Sequence, residues 1–134
     1  MSNRRGMTLL LVLAMCSLIG MSAMLLFSTV NTETMIAGNT HRINQAKISA
    51  ASGLNHFTAL GLTYDTLREQ AGGLQTLQIL PETQLGAKTS YEVKVHFYPR
   101  LSERQYVVEI TGYYKKGERI ISAHSIKDLF EGDQ

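Results

Sequence analysis

Residues 7–30 read MTLLLVLAMCSLIGMSAMLLFSTV, an uninterrupted run of 24 positions without a charged side chain. As an α-helix this run is about 36 Å long, at about 1.5 Å per residue, whereas the hydrocarbon core of a bilayer is about 30 Å thick. Arg4 and Arg5 precede the run, and the acidic Glu33 follows it shortly afterwards. The sequence therefore predicts a transmembrane helix whose basic, N-terminal side lies in the cytoplasm.

A cleaved secretory signal peptide is the main alternative for this segment, because it too begins with basic residues and an apolar run. The apolar part of such a signal is about 7–15 residues long and ends at a small-residue cleavage site. Here the run is longer, and no convincing Ala-x-Ala site follows it. A retained helix is favoured, whereas a secreted chain would begin near residue 30.

The charge balance argues against nucleic-acid binding. The chain has 13 Lys and Arg against 11 Asp and Glu, so without Arg4 and Arg5 there are 11 of each sign. A neutral domain lacks the basic footprint that phosphate backbones require, and we expect no direct nucleic-acid partner. The single cysteine, Cys16, allows no intramolecular disulfide and is interpreted as a small apolar packing residue.

Beyond Val30 the apolar residues recur at helical spacing. They are separated by three, four or seven positions and are Ile36, Ile43, Ala46, Ala50, Leu54, Phe57 and Leu60. This periodicity predicts that the helix runs on without a stop to about residue 60. We expect Ala50, Leu54 and Phe57 to pack against a folded domain. Gly20 is expected to permit close contact between helices, while Gly38 suits either packing or a kink.

The C-terminal part of the sequence predicts a small antiparallel sheet. Glycines and Pro81 mark a connecting segment that holds a short helical turn around Tyr64 to Ala71. Alternation of apolar and polar residues then predicts three strands, at Ser90–Tyr98, Gln105–Tyr114 and Ile120–Ile126. Residues 99–104 and 115–118 are the predicted connections of a three-stranded meander, whose apolar face covers the helix. The predicted fold class is α+β, with a long N-terminal helix on a small sheet.

The sequence contains no pattern that favours an enzyme. The four histidines lack metal-ligand spacing, Gly72-Gly73 lacks the lysine of a phosphate-binding loop, and no serine has the nucleophile-elbow pattern. We therefore expect no catalytic residue, cofactor or metal. The basic residues Lys115, Lys116 and Arg119 are interpreted as a solvated turn, with a partner or anionic headgroups as the alternative.

The N-terminus resembles a known class of leader. Arg4-Arg5-Gly6-Met7-Thr8-Leu9, followed by apolar sequence, resembles the class III signal of type IV prepilins and type II secretion pseudopilins. The resemblance implies that a dedicated peptidase cuts after Gly6 and that Met7 becomes the N-methylated first residue. The stretch from Glu33 to Asn39, with Gln45-Ala46 and the stretch from Ala50 to Leu54, also resembles the N-terminal region of PilX-like minor pilins. The resemblance covers about the first 57 residues and implies a pilin-like fold.

One position departs from the usual pattern of the family. The fifth mature residue is Glu in most members, but counting from Met7 it is Leu11. PilX-like minor pilins and GspK-like pseudopilins typically share this lack of Glu. In the family the carboxylate is thought to neutralise the amino terminus of the preceding subunit, because an unpaired charge in the membrane is costly. Leu11 therefore suggests a subunit with no predecessor, or else an ordinary membrane anchor.

These expectations divide the chain into five parts. They are a cytoplasmic prepilin leader (1–6), the transmembrane half of the helix (7–30), its amphipathic half (31–61), a connecting segment (62–88) and an antiparallel sheet (89–134).

The resemblance implies a minor pilin or pseudopilin that initiates, primes or caps a type IV pilus or related filament. The implied partners are prepilin peptidase, the inner-membrane assembly platform, other minor pilins, the major pilin and membrane lipid. The implied location is the inner membrane, crossed once, with a periplasmic C-terminal domain that enters the pilus or pseudopilus at its tip. Pilus, type II secretion and competence systems share this N-terminal pattern. The alternative is a single-pass anchored periplasmic or surface binding module that never enters a filament.

Overall fold

A computed structural model describes residues 2–101 and 104–132, with side chains from residue 6 onward. Two helices are followed by four strands: α1 (Ser2–Ala59), α2 (Tyr64–Ala71), β1 (Thr76–Gln84), β2 (Thr89–His96), β3 (Gln105–Lys116) and β4 (Arg119–Glu131). The strands form one antiparallel sheet in chain order. A long apolar N-terminal helix that packs on this sheet confirms the predicted α+β class.

The chain divides between Asn39 and Thr40 into two compact units. The first is the N-terminal part of α1. The second is the C-terminal domain, which contains the rest of α1, α2 and the sheet. The side chains of Arg4 and Arg5, and residues 102 and 103 of the predicted connection 99–104, lie outside the described part.

The helix ends agree with the sequence. The helix α1 contains both Gly20 and Gly38 and ends at Ala59, close to the predicted residue 60. Gly61 follows with a φ of 57°, a left-handed conformation that glycine adopts without strain and that commonly ends helices. The predicted helical turn is α2, whose bounds are those predicted, and the side chain of Thr63 caps its first turn by accepting from the amide of Thr66.

The prediction of three strands is wrong, because the connecting segment 62–88 contains a fourth strand, β1. This strand lies at the edge of the sheet beside β2. Its register with β2 shifts twice, between Gln78 and Leu80 and between Leu80 and Thr83, and it contains Pro81. Edge strands tolerate proline and irregular pairing, but both break the strict alternation on which a sequence-based assignment depends.

The core lies between the sheet and the helices. On the inner face of the sheet the residues predicted to point one way are buried: Tyr91, Val93, Val95 and Phe97 on or just after β2, and Tyr106, Val108 and Ile110 on β3. They form one cluster with Ala50 and Phe57 of α1 and with Leu67 and Ala71 of α2. The predicted alternation and the predicted cover by Ala50, Leu54 and Phe57 are confirmed.

The helix α1 approaches the sheet closely at Gly112 of β3. A Cβ atom at this position would overlap the backbone carbonyl oxygen of Ala46 and the backbone nitrogen of Ala50. One helical turn further, a Cβ on Gly53 would lie 2.7 Å from Cγ2 of Ile110. Ser49 completes this small face of α1 and is fully buried. Small side chains on the helix and a strand residue without a side chain let the two backbones touch.

Candidate membrane helix and contact surfaces

The side chains of the apolar segment of α1 are exposed. From Gly6, α1 includes a stretch long and apolar enough to cross a membrane, and no residue of that stretch is buried within the structure. It is the one helix of this kind in the described part of the chain. Large apolar side chains such as Met7, Leu18 and Phe27 are 65–76 % exposed. A surface of this composition is stable in lipid or against other apolar helices, so the segment is consistent with membrane anchoring.

Hydroxyl groups within this segment have partners inside the helix itself. Ser17 donates to the carbonyl oxygen of Leu13 at 2.9 Å, and Ser22 donates to that of Leu18 at 2.9 Å. Thr29 does the same one turn back, at 3.0 Å. In hydrocarbon, a polar group without a hydrogen-bond partner costs roughly several kcal/mol. The hydrogen bonds to the helix backbone remove that cost. The segment can therefore carry hydroxyls and still be compatible with lipid.

The residues predicted to serve processing and assembly lie on this exposed surface. The side chain of Met7 is 73 % exposed and that of Leu11 is 57 % exposed. A Cβ placed on Gly6 or Gly20 would meet no atom within 4 Å. Their roles in cleavage, methylation and helix packing stay predictions.

Three further predicted residues are brought together in the C-terminal domain. Ala50, Leu54 and Phe57 lie against the inner face of the sheet, and the Phe57 ring meets Phe130 of β4 edge-on at 5.6 Å. The small-residue contact at Gly112 is not among the predicted features. A glycine inside an alternating strand is a known sign of close backbone approach, so this signal was present in the sequence.

The outer face of the sheet carries a polar network centred on Glu109. Its carboxylate accepts from Nε2 of His96 at 2.8 Å and pairs with Nζ of Lys127 at 3.3 Å. His96 Nδ1 in turn lies 3.0 Å from the hydroxyl of Thr76, so the network extends from β1 to β4. Burial raises the pKa of Glu109, but the hydrogen bonds from His96 and Lys127 outweigh it, and the net pKa is lowered. Glu109 is thus held in its ionised form.

A second polar group lies at the other end of the same face. Glu82 accepts from Ser90 at 2.6 Å and pairs with Lys115, and the hydrogen bond from Lys115 is the largest cause of its lowered pKa. The hydroxyl of Tyr113 donates to Glu92 at 2.5 Å. Its pKa is raised, mainly by burial and secondly by this hydrogen bond. Cross-strand cations keep the carboxylates of Glu82 and Glu109 ionised. Such ion pairs stabilise the pairing of strands, and ionised carboxylates are poor proton donors.

Two histidines elsewhere in the domain contact aromatic rings. His56 Nδ1 lies 2.7 Å from the hydroxyl of Tyr91, and the His41 ring meets Tyr114 edge-on at 6.4 Å. Within residues 6–101 and 104–132 no group of three or more His, Cys, Asp or Glu side chains is placed to hold a metal ion.

We expect replacement of Glu109 by Gln to flatten the acid dependence of stability. Because the pKa of Glu109 is lowered in the folded state, its ionised carboxylate stabilises the fold at pH values above the ordinary Glu pKa of about 4.3. This stabilisation is lost as the pH falls through the lowered pKa. Between pH 7 and pH 3 the variant should lose about 1 kcal/mol less than the wild type. Urea unfolding of the full chain in uncharged maltoside micelles, followed by the near-UV signal of the tyrosines, measures this difference.

The matched control is Glu118→Gln at the exposed tip of the β3–β4 hairpin, where the structure gives the carboxylate no ion pair with a described residue. It should keep the acid dependence of the wild type. Equal pH dependence in the two variants would rule out the assigned role of Glu109.

Comparison with protein-family models, with curated proteins and with solved structures gives no match to this chain.

Proposed function

We propose that this chain is a minor pilin or pseudopilin that takes part in initiating, priming or capping a type IV pilus or a related filament. One observation carries the proposal. A Gly6-Met7 junction directly precedes an exposed apolar helix, and that helix continues to Ala59, where its end is covered by an antiparallel sheet. A lipid-compatible helix of this kind can leave the bilayer and enter a bundle of similar helices, because both surroundings accept the same apolar surface.

Three residues of α1 have roles in processing and packing under this proposal. Prepilin peptidase would cut after Gly6, and Met7 would carry the methylated amino terminus. Gly20 would let neighbouring helices approach, since it presents no side chain and its Cβ position is open. The C-terminal domain would lie in the periplasm, where the sheet contacts sibling pilins and the assembly platform acts on the helix from the inner membrane.

Leu11 supports a position at the start of the filament. A preceding subunit would place its charged amino terminus in an apolar bundle, and the exposed apolar side chain of Leu11 offers that charge no partner. Such a charge remains costly unless it is neutralised. A subunit with Leu11 therefore fits best where no subunit precedes it, at the tip.

The mature N-terminus tests the proposal. Intact mass and N-terminal sequencing of the chain from its native membrane, in cells that contain prepilin peptidase, should give a start at Met7 with one added methyl group. A start at Met1 or Ser2 would contradict the proposal and favour an anchored binding module. A start near residue 30 would contradict both and indicate a secreted protein.

A glycine pair makes the test specific. We expect Gly6→Leu to retain the first six residues and Gly20→Leu to be cleaved normally. A Cβ at either glycine meets no atom within 4 Å, so the described fold leaves space for a side chain at both positions. Cleavage of Gly6→Leu after position 6 would argue against a peptidase that requires glycine at this position.

A further inference from the structure

Four basic residues from separate parts of the chain surround one cavity in the C-terminal domain. The cavity has a volume of about 400 Å³ and is lined by Arg42, Lys88, Tyr114, Lys116, Arg119 and Ile121. Its lining contains no acidic residue. A volume of this size falls within the usual range of small-ligand sites, about 300–1,000 Å³.

The topology of the domain brings these cations together. Lys88 ends the β1–β2 turn, and its carbonyl oxygen accepts from the amide of Lys115 at 2.7 Å, which ties this turn to β3. Lys116 and Arg119 face each other across the β3–β4 hairpin. Arg42 approaches from α1, where its neighbour His41 contacts the ring of Tyr114. Helix, turn and hairpin thus converge on Tyr114.

The four cations of the cavity have no counter-ion among the described residues, in contrast to four other cations of the domain. On the outer face Lys94, Lys115 and Lys127 each pair with a glutamate, and Arg104 pairs with Asp65. Among the described residues, none of the four cavity cations has an acidic partner within ion-pair distance. Like charges held close together repel one another, so an anion in the cavity would relieve this repulsion.

We propose that this cavity binds a phosphate-bearing anion. Two arginine side chains can each present a planar fork of N–H donors, which matches phosphate oxygens in pairs, and two lysines add point charges. The Tyr114 hydroxyl supplies a further donor. A set of four cations exceeds what one carboxylate can neutralise, and this favours a phosphate group. The ligand is either a free phosphate or the headgroup of an anionic lipid.

Two titrations of the full chain in dodecyl maltoside micelles, which carry no phosphate, test the proposal and separate the two sources. The first adds inorganic phosphate, and the second adds phosphatidylglycerol, with diacylglycerol as the phosphate-free comparison. The readout is the backbone amide shifts of ¹⁵N-labelled protein. We expect saturable shifts at Lys88, Lys116 and Arg119 in at least one titration. A response to phosphatidylglycerol alone assigns the site to lipid, and a response to inorganic phosphate assigns it to soluble phosphate.

Charge-removing variants locate the site. Arg119→Gln should weaken binding roughly fivefold, the effect expected for loss of one cation from an anion site. Arg100→Gln, which removes an exposed arginine outside the cavity, should leave the affinity unchanged. Lys116→Gln is the second cavity variant, and the amide spectrum of each variant reports directly whether it is folded.

Three results would overturn the proposal. One is the lack of any saturable shift in both titrations. Another is an equal affinity of Arg119→Gln, Lys116→Gln and the wild type. The last is an equal response to acetate at the same ionic strength, which would indicate a general anion effect.

Discussion

Replacing Gly112 by Ala is expected to lower the free energy of unfolding of the C-terminal domain by about 3 kcal/mol or more. Adding volume to a packed core typically costs about 1–3 kcal/mol, and here the added methyl group would overlap backbone atoms of Ala46 and Ala50, which cannot rotate away. For a domain of this size the melting temperature should fall by roughly 12–24 °C. Thermal unfolding of the full chain in maltoside micelles, followed by near-UV circular dichroism, measures it.

Gly38→Ala is the matched control for this substitution. A Cβ on Gly38 would meet no atom within 4 Å, and alanine is favoured over glycine in a helix by about 1 kcal/mol. The control should therefore melt at the wild-type temperature or slightly above it. If Gly112→Ala also melted like the wild type, the close contact between α1 and β3 would not exist in solution.

The contact at Gly112 illustrates what the sequence reveals and what it conceals. The long helix and the alternation of β2 and β3 were predictable, because apolar periodicity is a local property of the chain. Gly112 interrupts no element, and its meaning depends on α1, which lies more than fifty positions earlier in the sequence. The edge strand β1 was missed for a related reason, since Pro81 and two register shifts remove the local signal.

The basic cavity was predictable in part. Lys116 and Arg119 are close in sequence and form a cluster there, whereas Arg42 and Lys88 join them only through the packing of α1 and the β1–β2 turn. A solvated hairpin tip was the natural interpretation of the sequence alone. The tertiary structure adds two further cations to this pair around one cavity. It also leaves acidic residues outside the lining.

Replacing Leu11 by Glu is expected to raise the incorporation of this chain along filaments by up to roughly 300-fold, if the proposed function holds. A charge left unpaired within the membrane costs about 2.5–3.5 kcal/mol, and each 1.4 kcal/mol is about tenfold in an equilibrium. A carboxylate at position 11 would neutralise the amino terminus of a preceding subunit, so internal positions would become accessible. Quantitative mass spectrometry of purified filaments gives the ratio of this chain to the major pilin.

Leu10→Glu is the control, because it has the same composition but turns the carboxylate by about 100° around the helix. It should leave the ratio close to that of the wild type. An equal rise in both variants, or no rise in either, would contradict the explanation of Leu11. Processing at Gly6 is measured in the same samples, so that failure of cleavage is distinguished from failure of incorporation.

The chain-order arrangement of the sheet has a consequence for how the protein is made. Each strand pairs only with its neighbours in sequence, so every hairpin can form as soon as its second strand has been synthesised. The last strand supplies Phe130, which stacks on Tyr106 at 5.7 Å and meets Phe57. A nascent chain therefore keeps one aromatic side of its core open to water until β4 has been synthesised, and this is the interval in which a chaperone would have a surface to bind.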